Sequence, residues 1–599
     1  MTFDTIIRNG RWFDGTGAPS AIRNIGITNG RIAAVTVEDI DESDCKQIFD
    51  ASGRWVMPGF IDIHTHYDVE LWKGAGLAES VRHGVTTVVM GSCSISTVHV
   101  EAEDAGDLFG RVEAIPRDHV VQAISGNKTW SNAEEYIAAL ESLPLGPNVN
   151  GFIGHSDLRV SSMGLDRATD ELVKPSRVEL KQMQAKLAEA LDAGFAGMSI
   201  MNLKFDKVDG DRCRSRTLPS TYAKRGEFRR LKGVVRSKGR VVQSAPNMRM
   251  PLDILFHALQ SWGVFRKPLK TSLAAAMDSK ANPMGWIVLK AVMRLGNMLG
   301  GDFRFQHLPV PFTVYADGID FVMFEEFGSG EEAMDLADCV ERDELMQDEA
   351  YRRRFRKDYD DKWGIKSWHR DFFDAVIVEC PDPSVIGRSF GQVGLDRGGL
   401  HPVDAFLDLV VEHGQAVRWV TTIFNHRPKV LDRLSKYPYI HMGFADSGAH
   451  MRNMAFYNMG LRLLKRVRDA EQAGAPFMTA EQAVHRLTGE LAEWFGLDAG
   501  HLRVGDRADL VIVDPEHLDE SVDQFCEENS EQYEGMVRMV NRNDETVKAV
   551  LISGQPVVVE GKPTALLGST RTGSFLRAGR QSPAILANNA AAQTISNKC

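Results

Sequence analysis

No stretch of this 599-residue chain approaches the roughly 20 consecutive apolar residues that a membrane-spanning helix requires. The opening residues, Met1-Thr2-Phe3-Asp4-Thr5, carry neither a basic nor an apolar segment, so no secretory signal is expected. Cysteine is scarce: seven scattered residues, an odd number, make no paired framework, and reduced thiols in a cytoplasmic protein are the expectation. Positive charge is in deficit, and a formal net charge of −11 argues against nucleic acid as the main partner. No internal repeat is present. What remains is an ordinary globular composition, 43% hydrophobic and 25% charged, in a chain long enough for a large domain with a satellite.

The two ends read as β-rich. Thr5-Ile6-Ile7-Arg8-Asn9-Gly10-Arg11 and Ile25-Gly26-Ile27-Thr28-Asn29-Gly30-Arg31-Ile32 both carry an Asn-Gly turn signal. Near the other end, Ala508–Asp514, Val547–Gly554 and Val557–Val559 are apolar strands. A small β-sandwich built from residues 1–58 and 498–565 is expected, with two unrelated hairpins as the alternative. Between them, residues 59–497 alternate apolar strands (Val85–Met90, Gly151–Gly154, Gly197–Ile200, Arg240–Val242) with helix-forming sequence. Such alternation implies parallel strands covered by helices, and the span fits a (β/α)8 barrel of TIM type, an α/β fold. Thr479 and Gln482 form a capping box that opens a helix over 479–495, with Val484, Leu487, Leu491 and Trp494 on its apolar face. The charge-dense stretch 327–372 is expected as a helical insertion beside the barrel, a solvated face or a lid. The Ala-, Asn- and Ser-rich end of the tail at 566–599, beyond about 570, is expected to fray.

Chemistry concentrates at strand ends. In Pro58-Gly59-Phe60-Ile61-Asp62-Ile63-His64-Thr65-His66 the strand alternation turns His64 and His66 the same way, so both imidazoles reach one metal ion. Active sites of parallel barrels collect at the carboxyl ends of strands. There lie Cys93, after Val85–Met90, and Gly154-His155-Ser156-Asp157-Leu158-Arg159. There too lies Asp446, in Ile440-His441-Met442-Gly443-Phe444-Ala445-Asp446-Ser447-Gly448-Ala449-His450. An aspartate in that place can touch the metal and take a proton from water.

With Gly505-Asp506-Arg507-Ala508-Asp509-Leu510-Val511, these motifs resemble the amidohydrolase superfamily over nearly the whole chain. Cys93 and the 154–159 segment narrow the resemblance to the N-acyl-D-amino-acid deacylases. The resemblance implies that His64, His66, Cys93 and Asp446 hold zinc, one or two ions, and that Asp446 is the general base of a metal-assisted amide hydrolysis. It also implies a small-molecule substrate, an N-acyl amino acid or related amide, with no membrane or nucleic-acid partner; whether the chain is a homo-oligomer stays open. A substrate carboxylate calls for a cation, and Arg159 and Arg216 are the candidates, with His155 as a further substrate-binding residue. One departure stands out: these deacylases bring further histidines from the fifth and sixth strands, whereas here the fifth reads Val241-Val242-Gln243-Ser244-Ala245-Pro246. His257 reads better as a core histidine, His307 stays open as a ligand, and Lys204 reads as exposed. The competing readings are a cyclic amidase of the hydantoinase kind and a degenerate scaffold without catalysis.

Overall fold

The structure, a computed structural model, describes residues 2–43, 45–247, 251–361, 363 and 366–579. Eight parallel strands run in the order Ile440–Met442, Asp302–His307, Lys270–Leu273, Val241–Ala245, Gly197–Met201, Asn148–Gly154, Val85–Met90 and Phe60–Asp62. We number them first (Phe60–Asp62) to eighth (Ile440–Met442) along the chain. Helices follow the strands, as the sequence alternation implies. The circle closes just past the strand ends, where Thr65 and Ser447 form a parallel bridge. Gly443, at φ 140°, makes that closure sterically feasible, since a Cβ there would meet Ile63 Cγ1 at 2.5 Å.

Both ends of the chain contribute to one sheet of nine strands. Trp55–Pro58 pairs antiparallel with Leu510–Val513 and then runs through Gly59 into the first barrel strand. Ile7, Ile25, Ile27, Leu510 and Leu551 belong to its buried cluster. The two Asn-Gly pairs behave differently. Asn29-Gly30 is the tight turn between Ala21–Thr28 and Arg31–Thr36. Asn9, at φ 57°, instead bulges inside the single strand Thr5–Trp12, shifting its register between Ile7 and Gly10.

Three further features differ from the sequence reading. The charged stretch 327–372 is part of a larger unit, residues 308–439, between the seventh and eighth strands. It has its own antiparallel sheet of Phe312–Asp317, Arg418–Phe424 and Val376–Glu379 and its own aromatic core around Phe324, Trp368, Phe406 and Trp419. The charge belongs to outward helix faces, as in Glu349–Asp360, where Tyr351 and Phe355 are buried. Next, the helix opened by the Thr479/Gln482 capping box ends at Leu487 and a second begins at Gly489. The break lets the terminal sheet approach, because a Cβ on Gly489 would meet the Gly15 carbonyl oxygen at 2.2 Å. Finally, the tail is ordered to residue 579: Phe575 bridges to Val149, Leu576 N–H donates to the Val149 carbonyl (2.9 Å) and Ala578 N–H to that of Gly194 (2.8 Å). The rest of the expected frayed tail, 580–599, lies outside the described residues.

Phe575 is buried against Phe195, ring centroids 5.2 Å apart, at the amino end of the third strand. Phe575→Ala should therefore destabilise the fold by about 3 kcal/mol, the low end for a buried Phe→Ala change. A lowered urea midpoint and faster amide exchange at residues 148–150 are expected; an unchanged midpoint would show that the strap holds nothing.

Candidate metal centre

Four side chains meet at the carboxyl end of the barrel. Asp446 N–H donates to the His64 carbonyl (3.1 Å) and His66 N–H to that of Ser447 (2.8 Å), so the first and eighth strands set these residues against each other. Nε2 of His64 lies 3.3 Å and Nε2 of His66 3.1 Å from Asp446 Oδ1. Cys93 Sγ lies 3.4 Å from His64 Nε2. The His64, His66 and Cys93 donor atoms all fall within 4.8 Å of one another, the metal-type cluster found among the described residues.

The neighbours fix which nitrogen each histidine presents. Gln306 Oε1 stands 2.6 Å from His64 Nδ1, so an Nδ1–H donating there leaves Nε2 free for the centre. Glu113 Oε1 stands 3.0 Å from His66 Nδ1, but the pair is not aligned as a hydrogen bond. Partners of this kind orient metal-binding imidazoles. Cys93, Ser94, Asp446 and His450 all have φ between 47° and 74°, a left-handed backbone that non-glycine residues adopt at some cost. The strain is held by anchors: Cys93 N–H donates to Gln243 Oε1 (3.3 Å), Ser94 N–H to Ser199 Oγ (3.1 Å) and His450 N–H to the Glu113 carbonyl (2.8 Å).

Charge is balanced within the cluster. Burial opposes charge on His64, but the Cys93 and Asp446 anions outweigh it and hold the imidazole up to about 10. Burial likewise opposes charge on His66, yet Glu113 and Asp446 raise it well above the ordinary value. Burial pushes the Cys93 thiol up while both histidines pull it below its usual range. Asp446 is held well below the carboxylate range, hydrogen bonds from His64 and His66 outweighing burial. The set fits a zinc-type ion: two imidazoles, a thiolate and a carboxylate are its preferred donors, and His66 Nδ1 and Glu113 Oε1 are buried without an aligned partner.

The fifth strand offers Gln243, whose Nε2 is buried without a partner, and its registered neighbour on the sixth is Ser272. His257 lies between Lys232 Nζ (3.2 Å) and Ser244 Oγ (3.4 Å). His307 Nδ1 donates to the Ala276 carbonyl (2.7 Å), with Ser435 Oγ 3.4 Å from Nε2. Lys204 is exposed.

The candidate substrate-binding residues are engaged elsewhere. Arg159 Nη1 donates to both Glu227 oxygens (2.8 and 2.6 Å), and His155 sits between Glu227 (3.0 Å) and Ser220 (3.0 Å), all buried behind the strands. A position just past a strand end is shared by residues that enter the helix and turn away, and His155 begins one, His155–Met163. Arg216 pairs with Asp166 (2.9 Å) at the surface.

The centre opens into a cavity of about 550 Å³ whose walls include Met201, Ile254, Met277, Phe312, Phe321 and Phe444. The 308–439 unit roofs it. Asp206, not singled out in the sequence, also faces it; burial and the nearby Cys93 and Glu113 push its carboxyl well above the usual range. Glu113 and Gln306 were equally illegible, since neither sits in a local pattern that marks a metal-site partner.

A closed parallel barrel with imidazole, thiolate and carboxylate donors at its carboxyl end defines an α/β barrel of the metal-hydrolase class. The amidohydrolase family profile matches residues 47–217. An uncharacterized Mycobacterium tuberculosis protein, Rv2913c, is 53% identical over 98% of this chain and 97% of its own. N-acyl-D-glutamate deacylase of Alcaligenes xylosoxydans xylosoxydans is 33% identical over 33% of this chain and 36% of its own. The crystal structure of N-acyl-D-glutamate deacylase from Bordetella bronchiseptica, complexed with zinc and a phosphonate inhibitor, superposes with a TM-score of 0.62. It covers 96% of this chain and 100% of that one at 22% identity, a likeness of fold. Residues 47–217 of the chain thus belong to the amidohydrolase family, and about a third of its length is similar to the N-acyl-D-amino-acid deacylases.

The cluster among the described residues is the one at His64, His66 and Cys93, and Gln243 and Ser272 add no imidazole, so metal analysis of the purified protein should find about one zinc-type ion per chain, not two. Cys93→Ala should lower metal retention while leaving the melting transition in place. Glu113→Ala should weaken metal affinity by about 10–100-fold, the usual effect of removing a residue that orients a ligand. Full retention in both variants would place the ion elsewhere.

Proposed function

We propose that the chain is a metal-dependent hydrolase of linear N-acyl amides, an N-acyl-amino-acid deacylase with preference for large apolar acyl groups. The observation that carries this reading is the convergence of His64, His66, Cys93 and Asp446 at the floor of an apolar cavity. His64, His66 and Cys93, with Asp446, would hold one zinc-type ion. Bound there, such an ion supplies Lewis-acid chemistry, polarising a carbonyl and bringing the pKa of water from 15.7 toward about 7.

The residues of the chain do the rest. Asp446, ionised between the two histidines, accepts the proton of the water that adds to the acyl carbon. It then delivers that proton to the leaving nitrogen as the C–N bond breaks, giving a carboxylic acid and an amine. Asp206, its carboxyl pushed above the usual range by burial and the neighbouring Cys93 and Glu113, faces the cavity where substrate oxygen would lie. Arg159 and Arg216 are engaged elsewhere; Lys366, which pairs with Asp361 (4.0 Å), lies in the cavity wall that a substrate carboxylate would meet. The phenylalanine- and methionine-rich walls exclude water and receive the acyl chain.

Each methylene buried there contributes about 0.8 kcal/mol, so lengthening the acyl group from acetyl to octanoyl should raise kcat/KM by up to about 10³-fold. A panel of N-acetyl and N-octanoyl D- and L-amino acids, with hydantoin as the cyclic control, measures this. Preference for acetyl would contradict the cavity's role, and turnover of hydantoin alone would favour a cyclic amidase. Asp446→Asn is nearly isosteric but cannot take the proton, so kcat should fall at least about 10²-fold with the fold intact. Near-normal turnover would require another base.

A further inference from the structure

Among the described helices, Gly285–Met298 breaks the rule that a surface helix turns its apolar side inward. Its buried side carries Leu289 and Met293. Its solvent side is apolar as well: Met284 is 64% exposed, Val288 62%, Leu295 58% and Met298 69%, with Ile287 beside them. These residues recur at the three- and four-residue spacing of one helical face, a stripe about 21 Å long. An exposed apolar stripe of this length marks a surface that something covers.

The stripe has two defined ends. At one end Met284, Gly285 and Val288 are part of the wall of the active-site cavity. At the other, Gly263 N–H donates to the Gly300 carbonyl (3.0 Å), placing the Val264-Phe265 tip beside the helix end. Phe265 is wholly exposed and followed directly by Arg266 and Lys267. Residues 254–301 carry six basic side chains against the single acid Asp278; Lys280 pairs with Asp374 and Lys270 Nζ donates to the Trp494 carbonyl (2.6 Å), which leaves Arg266, Lys267, Lys290 and Arg294. Asp278 is buried and paired with Arg427. Among the described residues no carboxylate pairs with exposed Arg266, Lys267 or Arg294. This local excess stands on a chain of net charge −11.

We propose that this face docks on an anionic lipid bilayer. The apolar stripe and Phe265 enter the interface, the arginines and lysine meet lipid phosphates, and the cavity mouth opens onto the membrane surface. Charge sets the choice of occupant: an apolar face ringed by unpaired cations complements an anionic interface, where basic apolar helices lie flat. No described helix is long and apolar enough to cross a membrane, so the contact is peripheral. On the proposed function, an amphiphilic N-acyl amide would pass from the bilayer along Val288 into the cavity; the docking itself requires no turnover.

The test is co-sedimentation of the full chain with vesicles of phosphatidylcholine plus phosphatidylglycerol, against phosphatidylcholine alone. Binding to the anionic vesicles, weakened by added salt, is expected. Arg294→Ser should lower the partition coefficient roughly fivefold, and Phe265→Ser/Leu295→Ser at least tenfold, with unchanged melting and unchanged metal content. No binding by the wild type, or equal binding by the double variant, overturns the proposal. So does a stable dimer in sedimentation velocity that the double variant dissolves, since a second copy would then be the cover. A chain that binds vesicles but cleaves no amide leaves the docking standing and removes the proposed activity.

Discussion

Two backbone hydrogen bonds, from Asp446 N–H to the His64 carbonyl and from His66 N–H to the Ser447 carbonyl, carry most of the consequences of this fold. They join the first and last strands of the barrel at the place where the centre forms. Residues 380 positions apart in the chain are thereby fixed within about one hydrogen-bond length, His64 and His66 both reaching Asp446 Oδ1. The approach is close enough to demand Gly443 opposite Ile63 and to hold Asp446 in a left-handed conformation. A barrel that failed to close would leave the aspartate and the histidines on separate edges.

Around that junction, the centre is made dry and electrically balanced. Two imidazoles, a thiolate and a carboxylate in one buried space repel or attract over a few ångströms with little water to screen them. The tug runs both ways: the histidines are pulled up, the Cys93 thiol and the Asp446 carboxyl down. A cation placed there would meet two imidazoles and two acidic groups whose hold on a proton is already weakened. The 308–439 unit then does for the cavity what the barrel does for the donors. Phe312, Phe321 and Phe424 from that unit shape an apolar room directly above the centre.

The legible parts of the sequence were those written in short range. His64 and His66 are two pleats apart, Cys93 ends a strand of six apolar or β-branched residues, and Asp446 follows an apolar strand, so local pattern alone brings them forward. Glu113 and Gln306 are equally close to the centre, yet each arrives from a segment whose local pattern is silent. Arg159 misled because a strand end feeds both the site and the helix behind it, and only the pairing with Glu227 decides which way the side chain goes. Asn9-Gly10 and Asn29-Gly30 are the same dipeptide; the first falls between the pairing of Thr5–Arg8 with Gln47–Asp50 and that of Arg11-Trp12 with Trp55-Val56, and bulges instead of turning. The insertion was recognised by its charge, which marks outer helix faces and misses the sheet and aromatic core beneath.

The family likeness and the departures from it point the same way. The profile match ends at residue 217; beyond it the fifth and sixth strands carry Gln243 and Ser272, neither of them an imidazole. Gln243 has a different task here, holding the Cys93 loop through its side-chain oxygen. We propose a centre that would hold one ion with Cys93 as its sulfur ligand. X-ray absorption at the zinc edge of the singly loaded protein tests this most directly. The account predicts one sulfur scatterer at about 2.3 Å together with nitrogen and oxygen neighbours, the sulfur vanishing in Cys93→Ala. A shell of nitrogen and oxygen alone in the wild type, or a sulfur that survives the substitution, would contradict it.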